Sequence, residues 1–347
     1  MSQPGATSRT VLGLIWVPVG LAMIGVPGWV AWTRTGAMLA SHPATIAIFA
    51  GVAVLGVLAL AWAILSLVQG GRFDRYGDPD HPRYRNPAEQ RRRAELRLAL
   101  SVPALVVCLL LVAGVIYARP FVATPAAVGA LRSNGQVEVG ERLTWYEMRP
   151  GKRDASGDLV QPIGGLVFVP GARVDPRAYA RILRPVAAAG YLVVVLREPL
   201  NFALPNSSHP EAVLGVHPDI RYWAVGGHSL GGVNAASYVD RDPRISGLLL
   251  YASYPAAALN RTDLKVTSIS GDQDGLATPA DIAAAKPKLP VRTKYVVIRG
   301  GIHAFFGDYG DQPGDGTPGV DRQVAQTEIA ADTMALMASL PPPPRKR

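Results

Sequence analysis

The stretch RYWAVGGHSLGG (residues 221–232) runs an apolar, strand-like segment into glycines that surround one serine. The residues that follow, LGGVNAASYVDRD, have helical patterning. A strand that passes into a helix through Gly227-His228-Ser229-Leu230-Gly231 sets the serine on a sharp turn with strained backbone angles. The glycines leave room for strand and helix to approach. The turn lifts Oγ above the sheet edge, and the N–H groups after it open a helix and point at developing negative charge. The G-x-S-x-G pattern alone is a weak signal, so the chain around it must carry the reading.

Working outward, short apolar runs alternate with helical stretches. GGLVFVPG (164–171) ends in a turn, and DPRAYARILRPVAAAG (175–190) is an amphipathic helix begun at Asp175 and stopped at Gly190. YLVVVLREP (191–199), ISGLLLYASYP (245–255), LKVTSISGDQDG (264–275) and KYVVIRGG (294–301) are further strands. TPADIAAAKPK is helical, and VDRQVAQTEIAADTMALMASL (320–340) is a terminal helix. Continuous apolar strands between helices imply an α/β domain, a mostly parallel, doubly wound sheet covered on both faces. The more alternating GQVEVGERLTWYEMRPG (135–151) suits an antiparallel edge strand. The 200–218 segment is expected as a loop that could cover the site.

A neutral serine hydroxyl needs a base within hydrogen-bond reach, and the base needs an anion to fix its tautomer. SISGDQDG follows a strand and offers Asp272 and Asp274; VVIRGGIHAFFGD follows the next and offers His303. His209, His217 and His228 precede the serine or abut it, and His228 is expected to face away from it and support the turn. In the doubly wound hydrolase arrangement the acid and then the histidine follow the serine, each in a loop after a later strand, and the order here matches. Only about nine residues separate YASYP from the next strand, too few for an inserted lid domain.

FVPGARVDPRAYA, GGHSLGG, SGDQDGLATPADI and GGIHAFFGDYG together resemble the α/β-hydrolase fold, in its small bacterial branch of dienelactone-hydrolase-like proteins. The resemblance covers about residues 135–340. It implies Ser229 as nucleophile, Asp274 as acid and His303 as base, with the N–H groups of Leu230 and Ala172, and less surely Arg173, facing the oxyanion. It implies hydrolysis of carboxylic esters, with amides as the lesser option, and calls for no cofactor and no metal. Dienelactone hydrolases proper use cysteine where this chain has Ser229, which argues against dienelactone as the substrate.

The N-terminal third has a different character. The chain has 347 residues, 49% hydrophobic and 18% charged, and the apolar excess lies at the start. Residues 10–33, 44–68 and 98–118 carry no charge, and each run is long enough to cross a bilayer. Three transmembrane helices are expected in a membrane region 1–118; the first, with Pro18 and Pro27, also has features of a signal peptide. A linker over 119–135, a hydrolase domain over 136–340 and a Pro-rich basic tail over 341–347 complete the organisation. The 69–97 loop holds Arg72, Arg75, Arg83, Arg85, Arg91, Arg92, Arg93 and Arg97, against Arg34 alone in the 34–43 loop. Positive charge resists translocation, so a multi-pass cell-membrane protein with an extracytoplasmic catalytic domain is expected. Net charge is +9, spread without a basic stripe, which disfavours nucleic acid as a partner. The lone Cys108 allows no disulfide within the chain. The expected partners are the bilayer and a small-molecule or lipid-derived ester. The alternative is a non-catalytic membrane protein that uses a hydrolase-like domain for binding; its support is that three helices exceed what anchoring needs.

Overall fold

The computed structural model describes residues 4–73, 87–203 and 209–340. It divides into two compact units, one of Met1–Thr35 with Ile46–Arg119, the other of Gly36–Thr45 with Pro120–Arg347. The first contains most of α1 (Pro4–Thr33), α3 (Pro43–Phe73) and α4 (Pro87–Tyr117); the short α2 (Thr35–Ala40) falls almost wholly in the second. Arg9–Thr33, Pro43–Gln69 and Glu95–Tyr117 are long and apolar enough to span a membrane. Pro18, Pro27 and Pro103 lie inside these helices without ending them, as bundled spans tolerate. Trp16 and Trp62 meet edge to face, ring centroids 5.9 Å apart. Two helices run into the arginine-rich connection from either side, to Phe73 and from Pro87, so that connection is shorter than the uncharged runs imply. Arg75, Arg83 and Arg85 lie outside the described residues, as does the 341–347 tail.

The second unit is built on one eight-stranded sheet, in the order β1-β2-β4-β3-β5-β6-β7-β8. The strands are β1 (Val137–Glu141), β2 (Trp145–Pro150), β3 (Gly165–Val169), β4 (Leu192–Leu196), β5 (Trp223–His228), β6 (Ile245–Tyr251), β7 (Lys265–Gly271) and β8 (Lys294–Ile298). β3 to β8 pair parallel, while β2 runs antiparallel to both β1 and β4. Where one edge strand was expected over 135–151, the chain forms a hairpin. Arg142 N–H bonds the Trp145 carbonyl across its turn, and Arg142-Leu143-Thr144 make the reversal.

The central strands β3, β4 and β5 are buried at every position, which explains their unbroken apolar sequence. Side chains still alternate between the two faces. Val193 and Val195 join the core under α6 (Ala180–Ala188) and α10 (Arg322–Ser339). Leu192, Val194 and Leu196 join the core under α7 (His209–Val216) and α8 (Leu230–Val239). Each such side chain contributes roughly 1.5–3 kcal/mol by leaving water. Asp175 caps a 3-10 turn, Pro176–Tyr179, which leads into α6; the expected helix therefore starts in a tighter form, where Pro176 and Pro185 interrupt α-helical bonding. Gly190, at φ 108°, ends it. Two more short helices complete the unit: α5 (Pro125–Gly129), capped by Thr124, and α9 (Pro279–Ala285), closed by a capping box of Thr278 and Asp281. The 200–218 segment is not all loop, since α7 occupies 209–216; residues 204–208 lie outside the description.

Candidate active site

Ser229 follows the last residue of β5 and precedes the first of α8, with φ 53° and ψ −124°. A side-chain-bearing residue takes that conformation only under constraint. Here the Ser229 N–H bonds the Tyr251 carbonyl on β6 at 3.0 Å, and its carbonyl accepts from Ser253 Oγ at 2.6 Å and from Gly232 N–H at 3.0 Å. Backbone crowding explains the glycines beside it. A Cβ at Gly231 would overlap the carbonyl oxygens of Val169 and Pro170, and one at Gly227 would overlap the Gly231 backbone.

The acid loop follows β7. Asp274 is 3% exposed, and its Oδ1 accepts from the N–H groups of Leu276 and Ala277 at 2.8 and 2.7 Å. Its Oδ2 lies 2.9 Å from His303 Nδ1. Asp272 is exposed and accepts from Gly300 N–H at 2.6 Å, so it shapes a turn. Of the two carboxylates, only Asp274 reaches the histidine.

His303, 1% exposed, opens a short 3-10 helix, His303–Phe306, after β8. With Nδ1 committed to Asp274, its Nε2 is buried and has no hydrogen-bond partner among the described residues. Asp315, which the sequence reading missed, sets this loop: its carboxylate accepts from the N–H groups of His303 and Ala304 at 2.9 and 2.8 Å and from Gly316 at 2.7 Å. The Gly-Asp-Gly turn at 314–316 was its only signal, and nothing in a turn motif says which loop it will hold.

His228 does not face away from the site. Its ring lies 4.5 Å from that of His303, centroid to centroid, and its Nδ1 is 2.9 Å from the Tyr179 hydroxyl. Burial, then the nearby His303, hold its basicity well below the ordinary histidine range, against an opposing contact with the His303 backbone. Tyr179 was also missed. Its hydroxyl accepts from Gly171 N–H at 2.8 Å, and burial pushes its ionisation far up, so it stays a neutral phenol. Phe305 and Phe306 are buried packing residues.

Two backbone N–H groups near the serine have no hydrogen-bond partner among the described residues: Leu230, at the first position of α8, and Ala172, in the loop after β3. Arg173 is excluded, because its N–H bonds the Asn201 carbonyl at 2.7 Å. Its guanidinium lies over the Phe121 ring, 4.7 Å from the centroid. Beside Leu230, a cavity of about 310 Å³ lies between α8 and the loop after β6, lined mainly by apolar groups such as Ala203, Val233, Pro255, Ala257 and Leu259.

A serine on a strained turn, a buried carboxylate–imidazole pair and two unbonded N–H groups are the groups that acyl transfer requires. Three solved structures are similar to part of this chain. A dienelactone-hydrolase-like protein from Klebsiella pneumoniae is 12% identical, with a TM-score of 0.43 over 58% of this chain and 99% of its own. TT1662 from Thermus thermophilus is 13% identical, with a TM-score of 0.39 over 58% and 97%. Mouse alpha/beta hydrolase domain-containing protein 10 is 12% identical, with a TM-score of 0.40 over 58% and 98%. No curated protein matches the chain. Residues 165–328, just under half of the chain, match the model of the alpha/beta hydrolase family, and the unit that holds them has the alpha/beta-hydrolase fold.

Proposed function

We propose that this chain is a membrane-anchored serine hydrolase that cleaves carboxylic esters, small or lipid-derived, through an acyl-enzyme. The observation that carries the reading is the Asp274–His303 pair, buried and joined at 2.9 Å, on the strand-end loops that follow the serine turn. In this reading His303 Nε2 takes the Ser229 proton as Oγ attacks the ester carbonyl. Asp274 holds the imidazole in the tautomer that leaves Nε2 free and stabilises the imidazolium. The N–H groups of Leu230 and Ala172 receive the oxyanion. The tetrahedral adduct collapses, the alkoxide leaves with the proton from Nε2, and Ser229 keeps the acyl group. Water then loses a proton to Nε2 and attacks the acyl carbonyl; the bond to Ser229 Oγ breaks as Nε2 returns the proton to that oxygen, and the acid is released. The apolar cavity beside Leu230 suits the acyl or alcohol part. The arginines of residues 69–97, against Arg34 alone in 34–43, support an extracytoplasmic side for the domain in this reading.

The test uses the full chain in detergent micelles. A fluorophosphonate probe is expected to label the wild type at Ser229 and to leave Ser229→Ala unlabelled. Short p-nitrophenyl esters are expected to turn over faster than long ones. A folded wild-type protein that takes no label would refute the reading.

A further inference from the structure

The loop that joins the first two apolar helices belongs, by its contacts, to the hydrolase unit, and so does the segment after the third. Both converge on the residues that flank Ala172. On one side, Thr45, fully buried, accepts from Leu200 N–H through Oγ1 at 2.8 Å. Ser41, 2% exposed, accepts from Asn201 Nδ2 at 3.1 Å and bonds back to the Ala37 carbonyl at 2.8 Å. His42 stacks on His209, ring centroids 6.1 Å apart and nearly parallel. These contacts hold a turn in which both Leu200 and Asn201 have positive φ, 55° and 54°. The carbonyl of that turn binds the Arg173 N–H at 2.7 Å. On the other side, Phe121 N–H bonds the Arg173 carbonyl at 2.7 Å and the Phe121 carbonyl accepts from Asp175 N–H at 2.9 Å. Arg173 itself sits at φ 65°.

Three adjoining residues with side chains in the left-handed region store strain that the surroundings must offset. Within 171–175 one bond, Val174 N–H to the Gly171 carbonyl at 3.1 Å, closes the turn around Arg173. The ties at 41, 45 and 121 brace that turn from outside, and they keep the Arg173 N–H occupied while the Ala172 N–H stays unbonded. We propose that the loop at residues 36–45 is a positioning element of the active site: Ser41 and Thr45, acting through Asn201, set the direction of the Ala172 N–H toward the oxyanion. The first two apolar helices would then present a piece of the catalytic machinery besides anchoring it, which gives a use for more than one span.

This rests on the serine-hydrolase reading, and the experiment separates the two. Full-length protein in micelles is assayed for kcat, KM and fluorophosphonate labelling rate, with the thermal midpoint as a check of folding. Thr45→Val keeps shape and removes the acceptor for Leu200 N–H. It is expected to lower kcat and the labelling rate by about ten- to a hundredfold, the scale of a misdirected oxyanion donor, with KM changed less than about twofold. Thr45→Ser, which keeps the oxygen, is expected to recover most of the rate. Should Thr45→Val not fold, Asn201→Gly serves instead: glycine accepts the positive φ at no steric cost while the tie to Ser41 is lost, and kcat is again expected to fall. Wild-type kcat in a folded Thr45→Val or Asn201→Gly protein, or a loss confined to KM, would overturn the proposal and leave the serine-hydrolase reading intact. A wild type that takes no label removes both.

Discussion

The Tyr179 hydroxyl is the smallest group whose removal should be felt in both stability and chemistry. Tyr179→Phe keeps the ring and its packing against Phe168, centroids 4.9 Å apart, and opens no cavity of consequence. What it removes is the one partner of two buried groups, the Gly171 N–H at 2.8 Å and His228 Nδ1 at 2.9 Å. A buried polar group left without a partner costs about 1–3 kcal/mol. The two share one hydroxyl, so together they cost about 2–5 kcal/mol. At about 2–4 °C per kcal/mol for a domain of this size, the thermal midpoint of the full chain should fall by about 4–20 °C. The chemical consequence follows from position. Gly171 directly precedes Ala172, and a Cβ at Gly171 would already lie 2.6 Å from His228 Nδ1, so the loop has no slack. Freed from Tyr179, the 171–172 peptide is expected to turn toward other acceptors and slow fluorophosphonate labelling by about tenfold or more. Thermal unfolding followed by circular dichroism, with labelling kinetics at a temperature where both proteins are folded, measures the two effects separately. An unchanged midpoint would show that the hydroxyl bridges nothing that matters, and the account of how the loop after β3 is held would fail with it.

Other perturbations follow from the same contacts. Asp274→Asn should lower kcat on the order of 10³- to 10⁴-fold with little change in folding, because an amide cannot hold His303 in the needed tautomer or stabilise its cation; steady-state kinetics on a short ester decide it. Gly231→Ala should prevent folding, since the added methyl meets the backbone oxygens of Val169 and Pro170, neither of which can give way; recovery of a labelled, cooperatively unfolding variant would count against the packing described. The neutral, buried His228 makes stability pH-dependent in a definite sense. The unfolded chain binds a proton near the ordinary value of 6.5 and the folded chain does so only at lower pH, so this contribution is complete above about 6.5 and is lost as pH falls below it. In His228→Asn, which keeps a polar atom for Tyr179, the decline in thermal midpoint from about pH 6.5 to about pH 5 should be shallower than in the wild type.

The parts of this protein that were legible in its sequence are those that use local rules. The inner strands read as strands because both faces are covered and every position must be apolar, as LVVVL on β4 shows. The serine turn was readable because close backbone approach at residues 227 and 231 admits glycine only. Asp274 and His303 follow their strands in the order of the doubly wound hydrolase arrangement, and the Gly271-x-x-Asp274 pattern pointed to Asp274 over Asp272, two residues away. The β1–β2 hairpin was hidden for a different reason: its turn, Arg142-Leu143-Thr144, lacks glycine and proline, and an alternating pattern does not say where a strand reverses.

What sequence could not disclose are contacts made across long chain separations by residues with no special chemistry of their own. Ser41 and Asn201 are 160 positions apart, and Thr45 and Leu200 are 155. Taken alone, Ser41 and Thr45 are small polar residues beside a helix start, where such residues cap and turn. Nothing in their neighbourhood distinguishes that use from support of a distant turn. Leu200 is harder still, because a leucine at φ 55° violates the preference of its type, and the violation shows only in the backbone. A local rule broken at Leu200, Asn201, Arg173 and Ser229, all within reach of one sheet edge, marks the place where the fold gives up stability. Such residues persist only if surrounding hydrogen bonds hold them: Ser229 is held by Tyr251 and Ser253 at the end of β6, and Leu200, Asn201 and Arg173 are held by the chain segments at 41–45 and 121 that adjoin the apolar helices.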